Sequence, residues 1–128
     1  MFGFLIQESY PTYYYANQQH EEIQVWPKGP ITNRRDEAIK LEMDALMKQE
    51  IAKNVWHIPP VPINAGVDHP CPFPEEIAHW VTRLYSCRGD VVADPMAGSG
   101  TTLKVADRLG RVAVGTELWP AYVAEARR

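Results

Sequence analysis

The sequence predicts an α/β domain with three layers and a mostly parallel sheet, and three segments near the C-terminus carry this prediction. Residues 91–93 are a short apolar run, residues 94–102 are rich in glycine, and residues 112–115 are a second apolar run. Such runs are typical of strands buried on both faces of a parallel sheet. Residues 101–109 have the pattern of a helix that ends at Gly110. Strand, turn, helix and strand in this order predict one right-handed crossover unit.

Further elements are predicted on both sides of this unit. Within residues 20–26, Ile23 and Val25 alternate with polar neighbours, which predicts a strand. Apolar residues at helical spacing predict an amphipathic helix over residues 33–54, and residues 74–86 predict a second helix with a proline in its first turn. The three prolines within residues 56–62 predict an extended connector, because proline lacks an amide donor. A last helix begins at Pro120.

Length and composition limit the classes of function. The 128 residues suffice for one domain and are few for a complete enzyme with two substrates. The net charge of -3 has the wrong sign for a chain that holds DNA alone, so any DNA contact must be local or shared. Cys71 and Cys87 form neither a disulfide framework nor a zinc pattern. Without a membrane-length apolar run or a signal peptide, we expect a cytoplasmic protein that binds no metal.

The glycine-rich turn at residues 94–102 lies where the carboxyl end of a strand meets the amino end of a helix. Ligands bind at such places in open α/β sheets, because bare backbone amides are presented there. Glu117 follows Asp94 by 23 residues and ends the next strand, so its carboxylate is expected to face the same crevice. A carboxylate there can accept hydrogen bonds from both hydroxyls of a ribose. These residues predict a nucleoside-binding site.

The residues after the turn disfavour two common nucleotide ligands. A dinucleotide site usually has a third glycine three residues after the second, but Leu103 occupies that position. A phosphate-binding loop needs Gly-Lys followed by Ser or Thr, whereas Thr101 follows Gly100 and Lys104 lies further along the helix. NAD and nucleoside triphosphates are therefore not the expected ligands.

Three motifs resemble the bacterial and phage DNA methyltransferases that act on adenine N6 or cytosine N4, in the permuted order that places the cofactor motifs last. These motifs are Asp94-Pro95-Met96-Ala97-Gly98-Ser99-Gly100-Thr101-Thr102, Gly115-Thr116-Glu117-Leu118-Trp119-Pro120-Ala121-Tyr122 and His69-Pro70-Cys71-Pro72-Phe73-Pro74-Glu75-Glu76-Ile77. The resemblance is tight after His69 and looser before it. It implies part of a methyltransferase fold of the Rossmann type, with S-adenosyl-L-methionine as cofactor and double-stranded DNA as partner.

The resemblance also implies roles for single residues. Glu117 would bind the ribose hydroxyls of the cofactor, and the glycine-rich turn would line its methionine and ribose. The segment from His69 to Phe73 would close over it. The implied cofactor-binding positions are His69, Pro72, Phe73, Asp94, Pro95, Met96, Ala97, Gly98, Ser99, Gly100, Thr101, Thr102, Glu117 and Leu118. Met96 and Trp119 depart from the family pattern, where Phe and a small polar residue are common, but an apolar side chain beside the adenine suits either position.

No catalytic residue is predicted within the chain. The catalytic tetrapeptide of this family is Asp, Asn or Ser followed by Pro-Pro and an aromatic residue, and it would lie before residue 1 in this order. The segment Ile58-Pro59-Pro60-Val61 does not replace it, because it offers neither a side-chain acceptor nor a stacking ring. The isolated chain is therefore expected to hold cofactor and to transfer little methyl.

The same resemblance divides the chain into three regions. Residues 1–30 would be a strand region that continues the methyltransferase core. Residues 31–66 would hold a target-recognition helix and the proline-rich connector, and residues 67–128 would bind S-adenosylmethionine. The acids of the helix nearly cancel its bases, so a solvated helix face is an equally good explanation of its charges.

Two other hypotheses remain open. The chain could be a non-catalytic module that binds cofactor or DNA, or one subunit of a split enzyme completed by a second chain that bears the catalytic tetrapeptide. Exposed strand edges would favour the split version, since an incomplete sheet needs covering. The chain could also act on RNA or on a small molecule, although the motif at residues 69–77 argues against that hypothesis.

Overall fold

The computed structural model describes the residues 20–30, 43–48, 51–61 and 74–127. The chain divides into two compact units, Met1–Asn33 and Arg34–Arg128. All of the helices and strands in the described residues belong to the second unit. A membrane-spanning helix is not found among the described residues.

The first unit contributes the segment 20–30, which forms no strand. The strand predicted at residues 20–26 is therefore wrong. Ile23 and Val25 are about half exposed, and the Trp26 indole N–H donates to the side-chain oxygen of Gln24 at 3.3 Å. Alternating side chains make a strand only where a neighbouring strand accepts the backbone hydrogen bonds, and no described strand pairs with residues 20–30. That residues 1–30 continue the core stays a prediction.

Helix α1 spans Met43–Lys48, and turns and bends occupy residues 51–55. The predicted extension of this helix to residue 54 is therefore wrong, while its predicted start lies outside the described residues. The Ile51 and Ala52 amides both donate to the Leu46 carbonyl, at 3.0 and 3.4 Å, in a turn that closes the end of the helix. The Trp56 indole N–H donates to the carbonyl oxygens of Ile51 at 3.1 Å and Lys53 at 3.0 Å, which stabilises this turn. Residues 56–61 contain no helix, which confirms that part of the predicted connector.

Helix α2 spans Glu75–Tyr85 and is packed against the end of α1. Pro74 stands immediately before its first residue with extended backbone, so this proline is the cap and not the first-turn residue that the sequence predicts. The helix itself is confirmed to within one residue at each end. A buried cluster joins it to the preceding segment, and this cluster consists of Leu46, Ile51 and Trp80, flanked by Trp56 and Leu84.

The strands β1, Val91–Asp94, and β2, Val112–Gly115, are parallel neighbours. Their register places Val91 opposite Val112 and Asp94 opposite Gly115. Helix α3, Thr101–Arg108, connects them and packs on both, and helix α4, Pro120–Ala126, follows β2. The predicted order of strand, glycine-rich turn, helix and strand is confirmed.

The two faces of this sheet are covered very differently. Helix α3 packs on one face, where a Cβ added to Gly115 would lie 2.5 Å from the Leu103 side chain. The other face carries four exposed side chains, those of Val91, Ala93, Val112 and Val114. The prediction that these strands are buried on both faces is therefore wrong for this chain, because the elements in its described residues cover one face only.

Arg111 joins the end of α2 to the start of β2. Its guanidinium donates to the backbone oxygen of Ser86 at 2.6 Å, to the Ser86 hydroxyl at 3.1 Å and to the backbone oxygen of Leu109 at 2.7 Å. Five donors in a rigid fork allow one arginine to make such a set of contacts. Arg111 therefore fixes α2 beside the sheet and, with it, the frame that holds the glycine-rich turn.

Candidate functional site

The turn between β1 and α3 contains two glycines in the left-handed region, Gly98 with a φ of 53° and Gly100 with a φ of 84°. A side chain at such angles costs about 1–2 kcal/mol. The Gly100 N–H donates to the Ala97 carbonyl at 2.8 Å, and a Cβ on Gly100 would lie 2.7 Å from the Cβ of Ala126. Position 100 therefore requires glycine for its backbone angle and for its contact with α4.

Asp94 shapes the start of this turn. One oxygen of its carboxylate accepts the Met96 N–H at 3.1 Å, and its backbone carbonyl accepts the Thr116 N–H at 3.0 Å. A carboxylate that accepts the amide two residues further on is a common turn-forming contact. Asp94 therefore sets the direction in which the chain leaves β1, and this structural role stands beside the role that the resemblance implies.

Glu117 lies against the glycine-rich turn, as the sequence predicts. One of its carboxylate oxygens accepts the Gly98 N–H at 2.8 Å, and the other accepts the Trp119 N–H at 2.9 Å. Glu117 stands two residues after the end of β2, and so it reaches the turn across the gap between the two strands. Hydrogen bonds from two amides fix the orientation of both carboxylate oxygens.

Thr116 is a site residue that the sequence analysis missed. Its backbone carbonyl accepts the Ala97 N–H at 2.9 Å, and its hydroxyl donates to the Pro95 carbonyl at 2.6 Å. These contacts and the one from its amide to Asp94 tie the exit of β2 to the glycine-rich turn. The available signal was a residue with a hydroxyl immediately before the conspicuous acid at 117.

The remaining residues of the turn differ in exposure. Ala97, Ser99 and Gly100 are buried, so they form the inside of the turn. Met96 and Leu118 are 84% and 88% exposed. Met96 lies two residues before Gly98, and Leu118 directly follows Glu117, so both are close in sequence to the hydrogen bond between Gly98 and Glu117. Exposed apolar side chains of this size beside a polar contact mark a surface that suits a flat apolar ligand group.

The structure describes two of the five remaining predicted positions. Thr101 and Thr102 form the first turn of α3 and are partly buried, and Thr102 lines a cavity between α2 and β1. His69, Pro72 and Phe73 lie outside the described residues, so their place at a cofactor stays a prediction.

His79 is a titratable residue of α2. Its ring meets the Trp80 ring edge to face, with centroids 4.7 Å apart. Partial burial lowers the pKa of His79 below its ordinary value, and the nearby Arg83 guanidinium lowers the pKa further. The neutral imidazole is therefore the form that this part of the fold favours.

The contacts around Glu117 suit a nucleoside. Two carboxylate oxygens held side by side match the spacing of neighbouring hydroxyl groups on a ribose, and the exposed Met96 and Leu118 side chains suit the face of a purine ring. Among the described residues, no group of three or more His, Cys, Asp or Glu side chains could hold a metal ion.

Comparison with known proteins begins with a family model. The model of the N6 and N4 methyltransferases, described as DNA methylase, matches residues 6–128 and therefore nearly the whole chain.

Two curated relatives also cover most of the chain. The orphan methyltransferase M.BamHII of Bacillus amyloliquefaciens is 34% identical over 101 residues, which are 74% of this chain and 38% of the relative. The type II methyltransferase M.MthZI of Methanothermobacter thermautotrophicus is 30% identical over 115 residues, which are 81% of this chain and 32% of the relative. The chain thus spans less than half the length of these relatives.

Solved structures give the same result. The crystal structure of TTHA0409 from Thermus thermophilus, described as a DNA modification methylase, has a TM-score of 0.56 at 36% identity. The match covers 79% of this chain and 38% of the TTHA0409 chain. The same protein complexed with S-adenosyl-L-methionine has a TM-score of 0.59 at 30% identity, with 85% and 45% covered. The cytosine-N4-specific PvuII DNA methyltransferase has a TM-score of 0.56 at 27% identity, with 65% and 33% covered.

These likenesses, together with the parallel strands and the turn between them, show that the fold is part of the Rossmann-like α/β fold of the methyltransferases that use S-adenosylmethionine. With the family model matching residues 6–128, the chain belongs to the N6 and N4 DNA methylase family.

Proposed function

We propose that this chain is the cofactor-binding portion of a DNA methyltransferase that transfers a methyl group to the exocyclic amino nitrogen of adenine or cytosine. The observation that carries the proposal is the pair of hydrogen bonds from the Gly98 and Trp119 amides to the Glu117 carboxylate. They join the two segments that a nucleoside must contact at once, the glycine-rich turn and the acid after the next strand.

In this proposal, Glu117 accepts hydrogen bonds from the ribose hydroxyls of S-adenosylmethionine. The amides of the turn from Gly98 to Gly100 contact its methionine part, and Met96 and Leu118 flank its adenine. His69, Pro72 and Phe73 complete the site on the methionine side. The cofactor supplies an activated methyl group, and the residues of this chain bind and orient it.

DNA is the proposed second substrate, because the relatives are named as DNA methyltransferases. The net charge of -3 indicates that this chain alone contributes few phosphate contacts. Its sequence has one Pro-Pro pair, which lies between Ile58 and Val61 and lacks the acceptor and the aromatic ring that hold a flipped base. We therefore propose that the chain alone binds cofactor without transferring methyl to DNA.

Calorimetric titration of the purified chain with S-adenosylmethionine tests the site. We expect measurable binding, and about tenfold to hundredfold weaker binding by Glu117→Gln, because a charge-assisted hydrogen bond contributes about 1.5–3 kcal/mol. Asp107→Asn is the matched control, since it also removes one negative charge, from an exposed position on α3. Equal affinity of Glu117→Gln and the parent chain would remove Glu117 from the site.

A tritiated-methyl assay on mixed DNA tests the second half of the proposal. We expect no transfer by the chain alone. Robust turnover would show that the catalytic residues lie within these 128 residues after all.

A further inference from the structure

Trp119 differs from the other three tryptophans of the chain, because its indole N–H has no acceptor among the described residues. The indoles of Trp26 and Trp80 donate to side-chain oxygens at 3.3 and 3.4 Å, and the Trp56 indole donates to two backbone carbonyls. Trp119 is also 66% exposed, so its ring is not packed in the core. An exposed aromatic ring with an available donor is well suited to contact a ligand that is apolar in its body and polar at its edge.

Helix α4 gives no structural reason for a tryptophan at this position. Trp119 is the residue immediately before the helix, and its side chain makes no hydrogen bond that caps the helix. Ser, Thr, Asp and Asn stabilise helices at such a position, because their side-chain oxygens accept a backbone amide. The indole of Trp119 therefore contributes neither to the core nor to the start of α4, and its exposed surface is the part that is left for a function.

The backbone of Trp119 lies directly beside the proposed ribose contact. Its amide donates to one oxygen of the Glu117 carboxylate at 2.9 Å, and the other oxygen accepts the Gly98 amide at 2.8 Å. In the proposed function, Glu117 binds the hydroxyls of a ribose that carries the adenine. The side chain of Trp119 thus starts close to the edge of the adenine that is nearest the ribose. Among the ring nitrogens of adenine, N3 is the acceptor on this edge.

We propose that the Trp119 indole N–H donates to N3 of the adenine, which makes Trp119 a residue that determines specificity for the base. The proposal rests on the proposed function, because that function places an adenosine at Glu117. Met96 and Leu118 then contact the faces of the purine, and Trp119 contacts its edge. A donor at the edge selects a ring that has an acceptor at this position, a distinction that apolar contacts with the faces cannot make.

Calorimetric titration with S-adenosylhomocysteine, which lacks only the transferred methyl group, and with its 3-deaza analogue tests this contact. The analogue replaces N3 by a C–H group and so loses the acceptor. We expect the parent chain to bind the analogue about three- to tenfold more weakly, because a neutral hydrogen bond contributes a factor of this order. Trp119→Phe keeps an aromatic ring without the donor, and it should bind the two ligands with equal affinity.

Two controls isolate the indole N–H. Trp26→Phe changes a tryptophan that is 82% exposed and is not part of the proposed site, so it should keep the preference of the parent chain. The 7-deaza analogue lacks a ring nitrogen on the opposite edge of the purine. Trp119→Phe should therefore change the affinity for this analogue and for S-adenosylhomocysteine by the same factor.

An equal preference for S-adenosylhomocysteine over its 3-deaza analogue in the parent chain and in Trp119→Phe would overturn the proposal. A parent chain that has no such preference would overturn it as well. Both results leave the proposed function intact as long as Glu117→Gln weakens the binding of S-adenosylmethionine. A chain that binds neither S-adenosylmethionine nor S-adenosylhomocysteine would disprove the proposed function, and this proposal with it.

Discussion

The carboxyl end of β1 and the face of the sheet that β1 forms with β2 differ in how many of their groups find partners within this chain. At the carboxyl end of the strand, Glu117, Thr116 and the glycine-rich turn form a closed set of hydrogen bonds. Along the strand itself, Val91 and the neighbouring Val112 leave an apolar face exposed. The hydrogen bonds of this turn need only the residues from Asp94 to Trp119, which lie close in sequence, whereas covering the sheet needs segments that are far away along a chain. A local set of hydrogen bonds can thus be complete while the core around it is not.

The largest effect is expected at Gly100, where the glycine-rich turn contacts α4, because this is where the turn is most tightly packed. Gly100→Ala is expected to lower the free energy of unfolding by about 3 kcal/mol, because a Cβ there meets both a left-handed backbone and the Cα of Ala126 at 2.9 Å. Urea unfolding followed by circular dichroism measures this loss. Gly89→Ala is the matched control, since Gly89 has a φ of 82° but no atom within 4 Å of the added Cβ, and about 1–2 kcal/mol is expected. Equal losses would mean that the contact with α4 contributes nothing.

Substitutions at two valines measure how much the covered face and the open face of the sheet contribute to stability. Val105 on α3 is fully buried, and Val105→Ala should cost about 2 kcal/mol, since it leaves a cavity under the helix. Val112 on the open face is half exposed, and Val112→Ala should cost about 0.5 kcal/mol. Thermal unfolding of both variants measures the difference. A cost at Val112 as large as at Val105 would show that the open face is covered in solution.

Thr116→Val tests the tie between the exit of β2 and the turn. The variant keeps the shape of the side chain but loses the hydroxyl that donates to Pro95, so we expect a loss of about 1 kcal/mol in unfolding free energy and a few-fold weaker cofactor binding. Thr116→Ser retains the hydroxyl and should restore most of both. The tie would be unimportant if the valine and serine variants bound cofactor equally well.

The smallest effect concerns His79 and the dependence of stability on pH. The pKa of His79 in the folded chain lies below its ordinary value of 6.5, so the unfolded chain binds more protons between these two values. His79 therefore contributes stability that is fully present above pH 6.5 and is lost as the pH falls through that value toward the folded pKa. The loss is expected to be small, because the ring is only partly buried. Urea unfolding across this range should show a flatter profile for His79→Gln than for the parent chain.

Sequence reasoning succeeded where local patterns determine the structure. The apolar runs at β1 and β2, the glycines between them and the acid at 117 placed the turn and its carboxylate together, because a parallel crossover brings these positions to one edge of a sheet. Helix α2 was likewise predicted to within one residue at each end, because its apolar spacing coincides with a preceding proline.

Predictions from the sequence failed where contacts between residues that are far apart in the sequence determine the structure. Ile23 and Val25 alternate with polar residues as in a strand, but residues 20–26 pair with no described strand, and nothing in the segment itself reports a missing neighbour. Residues 51–55 form turns and bends in which the Trp56 indole N–H donates to the carbonyls of Ile51 and Lys53, a contact that helix propensity does not report. The hydroxyl of Thr116 was overlooked for a similar reason, since its partner Pro95 lies 21 residues away.

The exposure of Met96 has a practical consequence for anyone who handles this protein. A thioether that is 84% exposed is accessible to peroxide and dissolved oxygen, which convert it to a polar sulfoxide. Met96 lies two residues before Gly98, whose amide donates to Glu117. Oxidation of a sample in air would therefore make the proposed adenine-binding surface more polar while leaving the fold intact. Preparations kept under a reducing, oxygen-free atmosphere are therefore the ones in which the affinity of this pocket can be measured.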